Sequence, residues 1–188
     1  MRVIAGALKG RRLKAPTWDG LRPTSDRLRE TLFNVIAPRV DGARVLDGYA
    51  GTGAVGIEAL SRGARQVAFV ERDRRARALI ADNLAHCGVA SGCAIIRDSF
   101  NRIVRDAIPG AAIETTVGGV FDIILLDPPY AEHPEQVIAP AARLLAPGGV
   151  LVLEHAKRMA APASAAGLAR TRQIVSGDSV LSFYAWPP

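Results

Sequence analysis

Residues 45–56 read "VLDGYAGTGAVG", and their interpretation fixes the rest of the chain. Two aliphatic residues and Asp47 look like the end of a buried strand, and Gly51-x-Gly53-x-x-Gly56 looks like a tight turn into a helix. Three glycines at that spacing allow a turn, a close backbone approach and close helix–strand packing, so a strand–turn–helix unit is expected here. Alone the pattern is weak, because many tight turns use glycine.

Outward from this unit the chain keeps a regular beat. Strand-like runs at 43–47, 66–71, 93–98, 121–127 and 149–155 alternate with helix-like stretches at 53–63, 73–88, 99–108 and 133–149. Continuous Val/Ile/Leu runs separated by helices predict a parallel sheet covered on both faces, an α/β fold of the doubly wound, Rossmann-like kind. The tail breaks the beat. Runs at 170–176 and 180–186 flank Gly177-Asp178-Ser179, which predicts a terminal antiparallel hairpin, and 109–120 reads as a surface loop.

Ligands in open α/β sheets lie beyond the carboxyl ends of the strands. Four strand-like runs end on or near an acid: Asp47, Glu71, Asp98 and Asp127. That row suits a polar ligand better than a set of helix caps. Glu71 lies twenty residues after Gly51, where a carboxylate can accept ribose hydroxyls of a nicotinamide or an adenosyl ligand. Asp47 decides between them. A carboxylate near the turn repels a diphosphate and suits a ligand with positive charge, such as the ammonium and sulfonium of S-adenosylmethionine.

Composition bounds the remainder. The 188 residues, 49% of them hydrophobic, suit one domain with a substantial core. No apolar run reaches membrane-spanning length and no secretory signal core is visible, so a cytoplasmic protein without membrane association is expected. Cys87 and Cys93 lack partners at metal-ligand spacing and read as reduced thiols near a helix–strand junction, with no metal site. His86, His133 and His155 read as surface or junction residues.

The net charge of +6 is confined to residues 1–40, where nine Lys/Arg face three acids, while residues 41–188 hold fifteen of each sign. The polar run "LKGRRLKAP" (8–16) is read as an arm outside the core. A basic segment on a neutral body predicts a polyanion partner, since Lys and Arg displace counterions condensed on phosphates. The expected organisation is therefore a basic N-terminal extension (1–40) packed on a main domain (41–188).

"ILLDPPY" (124–130) adds chemistry. Proline gives no N–H to a sheet and holds its predecessor extended, so Asp127, Pro128, Pro129 and Tyr130 form a rigid terminus presenting an acid and a ring.

Together these residues resemble a known family. "VLDGYAGTGAVG", Glu71, Asp98 and "DPPY" occur in the order of a class I S-adenosylmethionine-dependent methyltransferase. "MRVIAGALKGRRLKAP" (1–16), "LRPTSDRLRETLFNVI" (21–36), "GIEALSRGA" (56–64) and "GDSVLSFY" (177–184) resemble the bacterial 16S ribosomal RNA guanine-N2 methyltransferases of RsmD type. The sequence departs from the usual pattern at Gly48, where leucine is common, at Arg97, where glycine is common, and at Ser176, where an aromatic is common.

The resemblance implies a seven-stranded sheet in order 3-2-1-4-5-7-6, S-adenosylmethionine as cofactor, and a guanine amino group in 16S rRNA as acceptor. The rRNA would be met within the small subunit or its assembly intermediate, by a monomer. It implies cofactor contacts from Asp47, Tyr49, Gly51, Thr52, Gly53, Glu71, Arg72, Asp98 and Ser99. Catalysis falls to Asp127, Pro128, Pro129 and Tyr130, and RNA contact to Lys9, Arg11, Arg12, Lys14, Arg22, Thr24 and Arg27. Two alternatives are an adenine-N6 amino methyltransferase of DNA or RNA and a non-catalytic RNA-binding module on the same scaffold.

Overall fold

The computed structural model describes residues 1–21, 24–105, 119–129 and 132–188. Arg22, Tyr130 and most of the expected loop at 109–120 lie outside them. Among the described residues the strands, numbered in chain order, lie in the sheet order 3-2-1-4-5-8-7-6, the expected order with a two-residue strand added beyond the terminal hairpin. The chain divides into two compact units, Met1–Ser99 and Phe100–Pro188.

In the first unit, β1 (Arg44–Asp47), β2 (Gln66–Val70) and β3 (Cys93–Ile96) are parallel, with Asp47 beside Phe69 and Phe69 beside Ile95. Val45, Leu46 and Val67 to Val70 are buried because helices cover these strands. The helices α2 (Ala54–Ser61) and α3 (Arg74–His86) follow β1 and β2, as the beat predicts. α2 begins at Gly53, while Asp73 caps α3 by accepting the amides of Arg75 and Ala76.

Two features of this unit go beyond the strand–helix beat. Residues Asp26–Ile36 form α1, capped by Ser25 Oγ on the amide of Leu28. The basic arm is also built into the unit. Arg2 bridges Arg12, Val3 N–H donates to Arg11 O at 2.9 Å, and Leu13 N–H donates to Met1 O at 3.1 Å. Val3 and Leu13 are core residues, so the arm is only partly the surface segment that its polarity suggested.

In the second unit, α4 (Phe100–Arg105) precedes β4 (Phe121–Leu126), and α5 (Pro134–Ala142) leads into β5 (Leu145–Ala156), which starts earlier than expected. β4 and β5 are parallel. β7 (Leu168–Ser176) and β8 (Ser179–Ala185) form the expected hairpin, with Ser176 opposite Ser179, and β6 (Ser164–Ala165) pairs with the start of β7. His155, expected at the surface or a junction, is buried near the end of β5, and Nε2 meets Ser182 Oγ at 2.8 Å. Among the described residues no helix is long and apolar enough to cross a membrane.

Candidate active site

The turn after β1 is held from three sides. Gly51 and Gly53 take φ of +53° and +76°, a left-handed conformation that side chains disfavour. Gly56 serves packing instead: a Cβ there would overlap the Phe69 ring. The carboxylate of Glu71, just past β2, accepts the amide of Gly51 at 3.0 Å with Oε2 and that of Asp73 at 2.8 Å with Oε1. Asp47 is buried and accepts the Gly56 amide at 3.1 Å. Burial pushes its pKa up to about 7, the Gly56 hydrogen bond opposes the rise, and the charge of Glu71 adds to it.

This set of groups fits a cationic cofactor. Asp47 is buried at the end of β1 and Glu71 is half-buried just past β2, with lone pairs beyond the two that hold backbone amides. Thr52 is buried in the turn and Tyr49 half-buried before it. Asp98 and Ser99 follow β3 and are half-buried, with the Ser99 amide donating to Asp98 Oδ1 at 2.8 Å. Arg72 is exposed, and its carbonyl accepts Arg77 Nη1 at 2.6 Å. The residues expected to contact the cofactor thus all lie in the first unit, at or just after the ends of β1, β2 and β3.

In the second unit, Asp127 follows β4 directly and is exposed, Pro128 is buried and Pro129 exposed. The Glu132 amide donates to Pro129 O at 2.9 Å. Tyr130 falls outside the described residues.

Of the expected RNA contacts, Lys9, Arg11, Arg12, Lys14 and Arg27 are exposed and Thr24 is half-buried. Lys14 Nζ is 3.0 Å from Asp82 Oδ2, with both side chains more than half exposed, so that pair adds little stability.

Sequence reasoning missed the polar residues that seat the arm. Glu58, wholly buried on α2, accepts the amides of Ile4 at 2.7 Å and Ala5 at 3.0 Å, and pairs with Arg62 Nε at 2.7 Å. Ser61 Oγ accepts the Leu8 amide at 2.9 Å. Arg29 of α1 is buried and donates to Arg2 O. Asn83 of α3 is buried and bonds to both Lys14 and Thr52. One signal was available: Glu58 is an acid amid apolar neighbours in "GIEALS", a position that calls for a buried partner.

The family model described as "Conserved hypothetical protein 95" matches residues 1–185. The chain is 36% identical over 187 residues to "Putative rRNA methyltransferase YlbH" of Bacillus subtilis, covering 98% of each. It is 36% identical over 130 residues to "Ribosomal RNA small subunit methyltransferase D" of Escherichia coli, a span of 69% of this chain and 60% of that one. Among solved structures, "Putative methyltransferase yhhF from Escherichia coli" superimposes with a TM-score of 0.82 at 32% identity, covering 98% of this chain and 96% of that one.

Proposed function

We propose that this chain, which belongs to the family described as Conserved hypothetical protein 95, methylates the exocyclic N2 amino group of a guanine in 16S rRNA. It is an S-adenosylmethionine-dependent rRNA methyltransferase. The observation that carries the amino-group reading is Asp127, exposed at the carboxyl end of β4 and followed by two prolines.

An exocyclic amine is a poor nucleophile because its lone pair is delocalised into the ring. Asp127 accepts one amino hydrogen and the Pro128 carbonyl the other, which favours pyramidal nitrogen and frees the lone pair. The prolines hold both acceptors in place. Tyr130 stacks on the extruded base, a contact of roughly 1–3 kcal/mol that is indifferent to base identity. S-adenosylmethionine, when bound, supplies an electrophilic methyl group on sulfur. Asp47 and the Gly51–Gly53 turn hold its methionine end, Glu71 the ribose hydroxyls, and Asp98 with Ser99 the adenine edge. The methylated nitrogen is acidic, so Asp127 or water suffices to take its proton.

Lys9, Arg11, Arg12, Lys14, Arg22, Thr24 and Arg27 contact RNA phosphates, residues 1–40 acting as the RNA-facing extension. The protein acts as a monomer in the cytoplasm, on the small subunit or its assembly intermediate. Incubation with labelled S-adenosylmethionine and 16S rRNA, small subunits or DNA, followed by digestion to nucleosides, tests this reading. N2-methylguanosine is the expected product. N6-methyladenosine, or label in DNA, contradicts it.

A further inference from the structure

Asn83 connects two parts of the first unit that the proposed function uses separately. Its Oδ1 accepts the Lys14 amide at 2.8 Å, and its Nδ2 donates to Lys14 O at 3.3 Å and Thr52 O at 3.0 Å. These partners fix the orientation of the amide group, because one side meets an N–H and the other two carbonyls. Lys14 ends the basic arm, and Thr52 lies between the two left-handed glycines of the cofactor turn. One buried side chain therefore clamps the arm to the turn.

Other contacts join the same two regions. Thr52 Oγ1 is 3.8 Å from Met1 Sδ, and a Cβ built on Gly51 would come within 3.2 Å of Leu21 Cδ1. The arm and the residues that follow it pack around the turn. Asn83 is distinct among these contacts in using three hydrogen bonds, the one to Thr52 buried and the two to Lys14 part-buried.

We propose that Asn83 is a positioning residue that couples RNA binding on the basic arm to cofactor binding at the glycine turn. The inference rests on the reading of the arm as an RNA contact. If Lys14 leaves its seat, Asn83 loses two of its three bonds and Thr52 loses a fixed anchor between glycines that can adopt other shapes. RNA that holds the arm down keeps Asn83 engaged and the turn set for the cofactor. Cofactor binding favours RNA binding by the same factor, because coupling between two sites is reciprocal.

The test measures binding of labelled S-adenosylhomocysteine by equilibrium dialysis, with and without saturating 16S rRNA. This non-reactive product keeps catalysis out of the readout. For the wild type, rRNA should tighten binding by roughly fivefold or more. In Asn83→Leu, close in size but without hydrogen bonds, the ratio should fall below about twofold. A second pair of variants guards against loss of folding at a buried site: Lys14→Pro removes the amide donor to Asn83 together with the Nζ charge, and Lys14→Ala removes the same charge while keeping that amide. Lys14→Ala should retain the coupling and Lys14→Pro should lose it. Equal ratios in these two variants would overturn the proposal. So would a wild-type ratio near one when rRNA binding still depends on Lys9, Arg11 and Arg12. If rRNA binding ignores those charges, the reading of the arm fails and the coupling fails with it.

Discussion

The Gly51 amide donates to Glu71 Oε2 at 3.0 Å, so the residue expected to hold the ribose also holds the glycine turn after β1. Glu71→Ala removes both functions. Calorimetry should show S-adenosylmethionine binding weakened by about tenfold or more, since leaving polar partners unsatisfied costs about 1–3 kcal/mol. Wild-type affinity in this variant would contradict the assignment.

Asp47 makes cofactor binding depend on pH. With its pKa near 7, the carboxyl is partly protonated at neutral pH, and a bound cation favours the ionised form. Affinity for S-adenosylmethionine should therefore rise from pH 6 to pH 8, and Asn at this position should flatten the profile. An unchanged slope in Asp47→Asn would assign the dependence to another group. The linked effect on stability has the opposite sign. The folded value lies above the ordinary 3.8, so the folded state keeps a proton that the unfolded chain releases. The contribution is fully present below 3.8 and declines as pH rises towards 7.

Gly56 is required by packing. Gly56→Ala drives a methyl group into the Phe69 ring between α2 and β2. Overpacking of about 1–3 kcal/mol should lower the melting temperature by roughly 3–10 °C, as read by calorimetry. An unchanged melting temperature would mean that the helix shifts away without cost.

The arm should give a salt signature. Replacing Lys9, Arg11, Arg12 and Lys14 together by Ala should flatten the dependence of log affinity for rRNA on log salt by up to about three units, at roughly 0.7–0.9 per phosphate contact. S-adenosylmethionine binding to the free protein should change far less than rRNA binding. A salt slope equal to wild type would reduce the arm to a solubilising surface.

The parts of the fold governed by local pattern were legible in the sequence. β1, β2 and β4 appear within a residue of their expected bounds, because buried parallel strands are short, continuous apolar runs flanked by turns. The first strand–turn–helix unit was legible because left-handed turns and close packing restrict residue choice, as at Gly51, Gly53 and Gly56. Seating of the arm was not. Glu58, Ser61, Asn83 and Arg29 act on residues 1–14 across sequence separations of 27 to 69, and no local pattern announces such partners. The same limit hid the second function of Glu71: its position suggested a ribose, but its bond to Gly51 depends on how two strands align.

The catalytic reading of Asp127 is tested most directly by single-turnover methylation of the rRNA substrate with Asp127→Ala at saturating S-adenosylmethionine. Asp127 is exposed at the end of β4, and a melting curve of the variant separates lost folding from lost chemistry. The acceptor acts most strongly as the amino nitrogen pyramidalises, and its loss should slow methyl transfer by roughly a hundredfold or more, with cofactor affinity changed far less. Tyr130→Phe, measured alongside, should retain most of the rate because the ring face does the stacking. An Asp127→Ala protein that melts like wild type and methylates guanine at the wild-type single-turnover rate would contradict the account.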